Sequence, residues 1–483
     1  MYLGLDMGTS GLRGVLADAD GKIIADAEAP LTTEAPAPGW SEQDPESWIT
    51  ACQSVMASLR DTAGAHLRGL RAIGISGHMH GATVLDAADQ VIRPCILWND
   101  TRSAEEAAKL DADPMMRRVS GNVVFPGFTA PKLLWMKAHE PERFAKVAKV
   151  LLPKDYLRLW LTGEHIGEMS DAAGTSWLDV GARDWSDEAL AATGLTRSHM
   201  PELIEGTDAG GHVRQALLDE WGLDGPVIVA GGAADNAAAA CGVGALGEGV
   251  GFVSLGTSGV LLTGRDSFAP APETAVHTFC HAVPGRWYQM GVILAATDSL
   301  NWLARQLGSA PGDLAAALPE TAEGPGRAMF LPYLSGERTP HNDARIRGAF
   351  IGLDIADRPA DLTRAVMEGV AFALRDNLEA LKATGAAFDT VLAIGGGARS
   401  PFWLETIATL LDLPLSLPEG SELGAALGAV RLAIAADTGA SPDEVMTPPD
   451  VARVIAPRAD LRGAYDDAYG RYRALYPALA EIG

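Results

Sequence analysis

The stretch Tyr2-Leu3-Gly4-Leu5-Asp6-Met7-Gly8-Thr9-Ser10-Gly11 decides the fold. An apolar, strand-like run with one carboxylate at Asp6 leads straight into a turn of small residues. A second apolar run, Gly14 to Ala17, follows, and Asp20-Gly21 then signals a hairpin before Lys22 to Ala27. The glycine turn is therefore expected between antiparallel strands rather than at the start of a helix. About half a chain later the pattern returns. Val250 to Leu255 leads into Gly256-Thr257-Ser258-Gly259, and Val260 to Leu262 follows. The same tetrapeptide in the same context reads as an internal duplication.

Two further glycine turns lie outward from these, in a different context. Val227 to Ala230 runs into Gly231-Gly232, then Ala233-Ala234-Asp235-Asn236 and an alanine-rich helical stretch. Val391 to Ile394 runs into Gly395-Gly396-Gly397-Ala398-Arg399, and Ser400-Pro401 then marks the start of a helix from Phe402 to Leu411. One such strand–turn–helix unit falls in each half. The fold class is α/β, in two halves joined near residues 243–250. A long helix is expected from Asp361 to Thr384 with a stop at Gly385, and a surface loop over Leu318 to Arg327. Tyr465, Tyr469, Tyr472 and Tyr476 share one helical stripe, which reads as a packing face.

A chain of 483 residues makes roughly three ordinary domains or two large ones. At 47% apolar and 21% charged it is globular rather than disordered or fibrous. Glycine, 54 residues, exceeds the usual share of about 7%. The net charge of −24 repels phosphate backbones, so no nucleic-acid partner is expected. Any small anionic ligand would be held largely by backbone amides. Cys52, Cys95, Cys241 and Cys280 stand far apart, which is neither a disulfide framework nor a zinc module and fits a reducing compartment. The N-terminal run lacks a basic region and carries Asp6, so no signal peptide is read. No stretch reaches the roughly 18–20 clean apolar residues of a membrane helix. The expectation is a soluble cytoplasmic protein.

Two apposed Gly-Thr-Ser-Gly turns offer clustered N–H donors, a way to bind phosphates without many cations. The sequence has no G-x-x-x-x-G-K-[ST], and no G-x-G-x-x-G follows a strand. One amide nest per half suggests a triphosphate gripped across a cleft. Arg13 can meet a phosphate there or be an exposed strand residue. Asp6, ending an apolar strand beside a phosphate loop, suits magnesium held through water; the alternative is an Asp that caps its own turn. Asp235 can accept the proton of an acceptor hydroxyl or cap its helix, and position alone does not decide.

Ile75-Ser76-Gly77-His78-Met79-His80-Gly81 sets two histidines two apart, on one face if the segment is a strand. That spacing suits a metal, and with His277 and His281 it makes a metal-dependent hydrolase the rival reading. The rival leaves both Gly-Thr-Ser-Gly turns unexplained. Trp98-Asn99-Asp100-Thr101-Arg102 offers an aromatic face with polar groups suited to a polyhydroxylated ligand; the alternative is a core Trp with a solvated tail.

Taken together, these residues resemble the FGGY carbohydrate kinases over nearly the whole chain. The resemblance includes Gly39-Trp40-Ser41-Glu42-Gln43-Asp44-Pro45, Phe128-Thr129-Ala130-Pro131-Lys132-Leu133-Leu134-Trp135 and Leu151-Leu152-Pro153-Lys154-Asp155-Tyr156. It continues through Ser170-Asp171-Ala172-Ala173-Gly174-Thr175 and Ser335-Gly336-Glu337-Arg338-Thr339-Pro340-His341. It implies two actin-like (ribonuclease H-like) domains, 1–245 and 246–483, with ATP and Mg2+ in an active-site cleft between them. By this likeness Asp235 is the catalytic base, and Met79-His80 with Asp235-Asn236 contact the sugar, beside Trp98. Asp6, the loop Gly8, Thr9 and Ser10 with Arg13, and the loop Gly256 and Thr257 form the phosphate and magnesium side. Gly396 and Gly397 form the adenosine side. Glycerol kinases carry an Arg-Glu pair where this chain has Met79-His80, so the resemblance leans to the ketopentose branch and to transfer onto D-xylulose, giving its 5-phosphate. One departure is Ala234, where relatives usually have Gly; the added methyl is expected to tighten the turn without abolishing the site. The partners implied are the sugar and ATP, with no nucleic acid and no membrane. The oligomeric state is left open, a homodimer included. A nonenzymatic sensing module would be expected to add a DNA-binding or partner segment or to lack the base, and Asp235 is present.

Overall fold

Two seven-stranded mixed sheets, one per half, carry the chain in this computed structural model, which describes residues 1–419 and 424–482. The first runs in the order Ala209–His212, Ile228–Ala230, Ala72–Gly77, Tyr2–Met7, Gly11–Ala17, Ile23–Pro30, with Ala233–Ala234 also on Ala72–Gly77. The second runs His277–Cys280, Trp287–Ile293, Gly259–Arg265, Gly249–Leu255, Phe388–Ile394, Leu415–Pro418, Val451–Ile455. In each sheet the Gly-Thr-Ser-Gly turn joins an antiparallel pair, Met7 opposite Leu12 and Leu255 opposite Gly259. The strand before the turn then lies parallel to a strand reached by a crossover, Ala72–Gly77 or Phe388–Ile394. The duplication read from sequence is thus a duplication of topology.

The strand Tyr2–Met7 is an apolar run rather than an alternating one because helices cover both its faces. Leu3, Leu5 and Met7 pack with Trp48, Val55 and Leu59 of the helix Pro45–Leu67. On the other face Tyr2 packs with Ala426, Val430 and Ala433, from the helix Gly424–Thr438 of the second half. In return, Ala237, Ala238 and Cys241 of the helix Asp235–Val243 pack with Phe252, Leu262 and Ile394 of the second sheet. The two helices cross where a Cβ on Gly428 would run into the Ala238 carbonyl. Their small residues are what lets the backbones approach so closely.

Several elements fall where the sequence placed them. The long helix spans Pro359–Ala383, and Ser400 caps Pro401–Leu411 by accepting the Trp403 amide. Tyr465, Tyr469 and Tyr472 are buried along Arg462–Ala480. Leu318 to Arg327 has no regular element. A two-residue strand, Ala233–Ala234, stands between the glycines and the helix Asp235–Val243. The two histidines do not share a strand face, however. The strand ends at Gly77, and His80 turns into the left-handed region at φ 72°, so the two rings diverge. His78 packs edge-on to Trp48, whereas His80 stacks on Phe128. Among the described residues no helix is long and apolar enough to cross a membrane.

Candidate active site

The carboxyl end of Ala72–Gly77 sets the geometry. Asp6 pairs with Ser76 on one side, and Ala234 pairs with Gly77 on the other. With strands about 4.8 Å apart, the backbones carrying Asp6 and Asp235 stand roughly 10 Å from each other at the sheet's edge. This is the end at which parallel α/β sheets bind ligands. Burial raises the Asp235 carboxyl to about 6, and the charge of Asp6 adds to the rise. Burial also raises Asp6, opposed by Arg13 across the ladder.

Asp235 does not cap its helix. It is the first helical residue, the cap position is Ala234, and Asp235 Oδ1 accepts from the Asn236 amide (2.6 Å) and Asn236 Nδ2 (2.8 Å). Its other oxygen makes no hydrogen bond among the described residues. The turn beneath it is fixed from below: buried Arg158 donates to the carbonyls of Ala230 and Gly231, and Ser170 Oγ accepts the Ala234 amide at 3.0 Å. Ala234 is fully buried and keeps that bond, so its methyl fits the turn. Ser170 in turn donates to Glu168, which joins Asp155 and Asp171 around the buried Lys154 ammonium at 2.6–3.4 Å. Burial works against the Lys154 charge, but the three carboxylates prevail and raise its pKa.

The loop after Gly77 forms one wall. His80 Nδ1 lies 2.7 Å from the Gly174 carbonyl, so that nitrogen carries the proton and Nε2 is left as an acceptor. A Cβ on Gly174 would collide with this ring. Burial lowers His80 to about 3, which keeps it neutral. Lys132, buried and lowered by burial to about 7, holds the His80 carbonyl at 2.8 Å and that of Gly127 at 2.7 Å. Met79 is buried beside the Tyr288 hydroxyl of the second half, 3.9 Å from Sδ. Trp98 is 37% exposed and donates its indole N–H to Thr9 Oγ1 at 3.0 Å, so it is no core residue. The segment after it is not a solvated tail either, because Asp100 is buried, accepts the Ser41 amide and pairs with buried Arg102.

In both glycine turns the carbonyls face the protein. Thr9 O accepts from Gln43 Nε2 at 2.6 Å and Ser10 O from the Leu31 amide at 2.9 Å. Thr257 O accepts from the Ala296 and Asp298 amides, and Gly256 O from Thr297, at the head of the helix Thr297–Leu307. The amides of Thr9, Ser10, Gly256, Thr257 and Ser258 are left with no acceptor among the described residues, the arrangement of an anion nest. Arg13 bonds Asp26 on the outer strand at 2.9 Å. Gly396 and Gly397 line a cavity of about 540 Å³ with Asn301, Pro311 and Arg399, large enough for a nucleoside.

Asp6 fits a divalent cation: a carboxylate of raised pKa beside a loop of free amides needs a positive partner. Magnesium keeps most of its waters and takes further oxygens from phosphates, so one or two carboxylates suffice. The hydrolase reading needs a protein-built site instead. Among the described residues no three His, Cys, Asp or Glu side chains are grouped to hold a metal.

Sequence reasoning gave no role to Lys132, Lys154, Arg158 or Tyr288. The available signal for Lys132 was a lysine inside an otherwise apolar run, a costly placement unless paired.

Residues 1–242 match the N-terminal domain, and residues 251–436 the C-terminal domain, of the FGGY family of carbohydrate kinases. The chain belongs to that family, and its two halves have the family's actin-like architecture. It is an ATP-dependent carbohydrate kinase. The xylulose kinase of Escherichia coli (strain K12) is 46% identical over 485 residues, covering 100% of both chains. A crystal structure of a xyloylose kinase from Brucella ovis superimposes with a TM-score of 0.98 at 56% identity, over 100% of both chains. The xylulose kinase of Rhodospirillum rubrum superimposes with a TM-score of 0.91 at 29% identity, over 99% of each.

Proposed function

We propose that this kinase transfers the γ-phosphoryl group of ATP to the 5-hydroxyl of D-xylulose, with Asp235 as general base. The likeness to xylulose kinases supports the sugar. The observation that carries the mechanism is the Asp235 carboxylate, held by one oxygen and open at the other. Raised to about 6, it is mostly ionised at neutral pH yet basic enough to take a proton. The sugar O5 attacks phosphorus in line and its proton passes to Asp235. The new O5–P bond forms as the bond to the ADP oxygen breaks. His80 Nε2 accepts from a sugar hydroxyl, with Met79, Asn236 and Trp98 completing the first half's contacts. The amides of Thr9 and Ser10 and of Gly256 to Ser258 hold the phosphates, with Gly8 and Arg13 at the edge of the first loop, and Gly396 and Gly397 border the adenosine. Asp6 is the residue that would hold magnesium, whose charge offsets that of the transferring phosphoryl group.

In this reading residues 1–245 carry the sugar site and first loop, and residues 246–483 carry the second loop and adenosine side. Four buried free thiols support a cytoplasmic setting. The test is ATP-dependent ADP release with D-xylulose, L-xylulose, D-ribulose, glycerol and gluconate. D-xylulose should give the highest kcat/KM, since buried polar groups left unpaired can reject an analogue by as much as ~10⁴-fold. A clear preference for glycerol or gluconate would overturn the sugar and leave the family untouched.

A further inference from the structure

Two polar groups of the second half face the sugar-side loop without partners. The Arg338 guanidinium makes no hydrogen bond or ion pair among the described residues; it lies over the Phe125 ring, 4.7 Å from its centroid. His277 is buried with both ring nitrogens unpartnered. Its ring stands 5.2 Å from that of Phe125 and 5.9 Å from that of Phe128, the ring on which His80 stacks. Arg338, His277 and His80 therefore converge on one aromatic lining, two from the second half and one from the first.

Such groups are costly to leave unpaired in apolar surroundings, so they point to a ligand that completes them. Arg338 is also aimed by the sheet. Glu337 Oε1 accepts the amides of Leu294 (3.1 Å) and Arg338 (2.7 Å), while the Thr339 hydroxyl accepts the Val292 amide and donates to the Ala275 carbonyl. Both neighbours of Arg338 are thus pinned at the end of the strand Trp287–Ile293. The positive charge of Arg338 reaches His80 and His277, whose pKa values burial already lowers. Asp235 is shifted instead by burial, Asn236 and Asp6. Phe125, beneath Arg338, packs edge-on to Phe128, the ring on which His80 stacks, so Arg338 stands on the His80 side of the cleft.

We propose that Arg338, with His277 beside it, contacts the sugar at its keto end, away from the hydroxyl that Asp235 deprotonates. The inference rests on the ketopentose reading. The forked donors of a guanidinium match two adjacent acceptor oxygens, here the carbonyl O2 and the hydroxyl O1. Sugar bound this way bridges the two halves.

The variant Arg338→Met keeps the apolar stem over Phe125 and removes every donor. It should raise the KM for D-xylulose about 10- to 100-fold, the range for a lost hydrogen bond to a charged group. The KM for ATP and the melting temperature should stay unchanged, and Arg338→Lys, which keeps charge without the fork, should fall between. An unchanged KM for D-xylulose overturns the proposal. Unfolding of both variants assigns Arg338 to the scaffold and overturns it as well. If the wild-type protein phosphorylates no ketopentose, the underlying reading fails first, and that result is visible before any variant is made.

Discussion

The two halves place opposite chemistry at the same two points of one scaffold. Two residues before the first glycine turn stands Asp6; two before the second stands Ser254. After Gly231-Gly232-Ala233-Ala234 comes Asp235; after Gly395-Gly396-Gly397-Ala398 comes Arg399. Both glycine turns close antiparallel strand pairs with amides outward, so the anion nest exists twice. The carboxylates exist only in the first half. There the chain passes through Ala233–Ala234 into a helix with Asp235 at its first position; in the second half the turn winds as a short 3₁₀ helix, Gly396–Arg399, beside the cavity. Duplication supplied two cradles for anions. In the proposed reading the acids handle a proton and a metal, and the arginine meets a polyanion.

Breaking the acidic side should give the largest effect. Asp235→Asn keeps the size and the oxygen that Asn236 holds but cannot accept a proton. It should lower kcat by at least about 10²-fold, with melting temperature and ATP affinity retained. The pH profile sharpens the point. A base raised to about 6 works only when ionised, so wild-type kcat/KM should fall as pH drops through about 6. The residual activity of the Asn variant should lack that limb. A variant as active as wild type removes the base and with it the asymmetry between the halves.

A smaller effect should come from the second nest. The Thr257 side chain is exposed and its hydroxyl makes no hydrogen bond among the described residues. Thr257→Val keeps the shape and removes that hydroxyl, so the KM for ATP should rise about 10-fold while the KM for sugar holds. A change confined to the sugar KM would mean that the second turn does not face the nucleotide.

What was legible before the structure was local. A turn tetrapeptide, the runs flanking it and a carboxylate at a strand end are each written within a few residues, which is why both nests, Asp6 and Asp235 could be singled out. The crossing helices were not legible as crossing. Asp235–Val243 and Gly424–Thr438 are small and apolar around most of their circumference, so no face announces which sheet each one covers. The wall opposite Asp235 was illegible for another reason. Lys132 and Gly174 meet His80, and Phe125 meets Arg338, only after long stretches of chain have folded between them. The left-handed turn at His80, which undid the expected strand pair of histidines, rests on those same distant partners.

The smallest effect should come from Trp98, and it separates the two supports of the first nest. Thr9 is held twice, by fully buried Gln43 at its carbonyl and by the exposed Trp98 indole at its hydroxyl. Trp98→Phe keeps an aromatic face toward the cleft and removes one exposed neutral hydrogen bond, which is worth about 0.5–1.5 kcal/mol. With Gln43 still in place, kcat/KM for ATP should fall only about 3-fold. At the second turn Thr257 O is held by backbone amides at a helix start, and the Thr257 hydroxyl has no such brace among the described residues. Steady-state kinetics with each substrate varied in turn decide between roles. A modest loss on the ATP side alone makes Trp98 a brace for the phosphate loop. A loss on the sugar side that the phenyl ring does not rescue makes the indole a direct contact to the sugar, and the polar stretch after it a support for that contact.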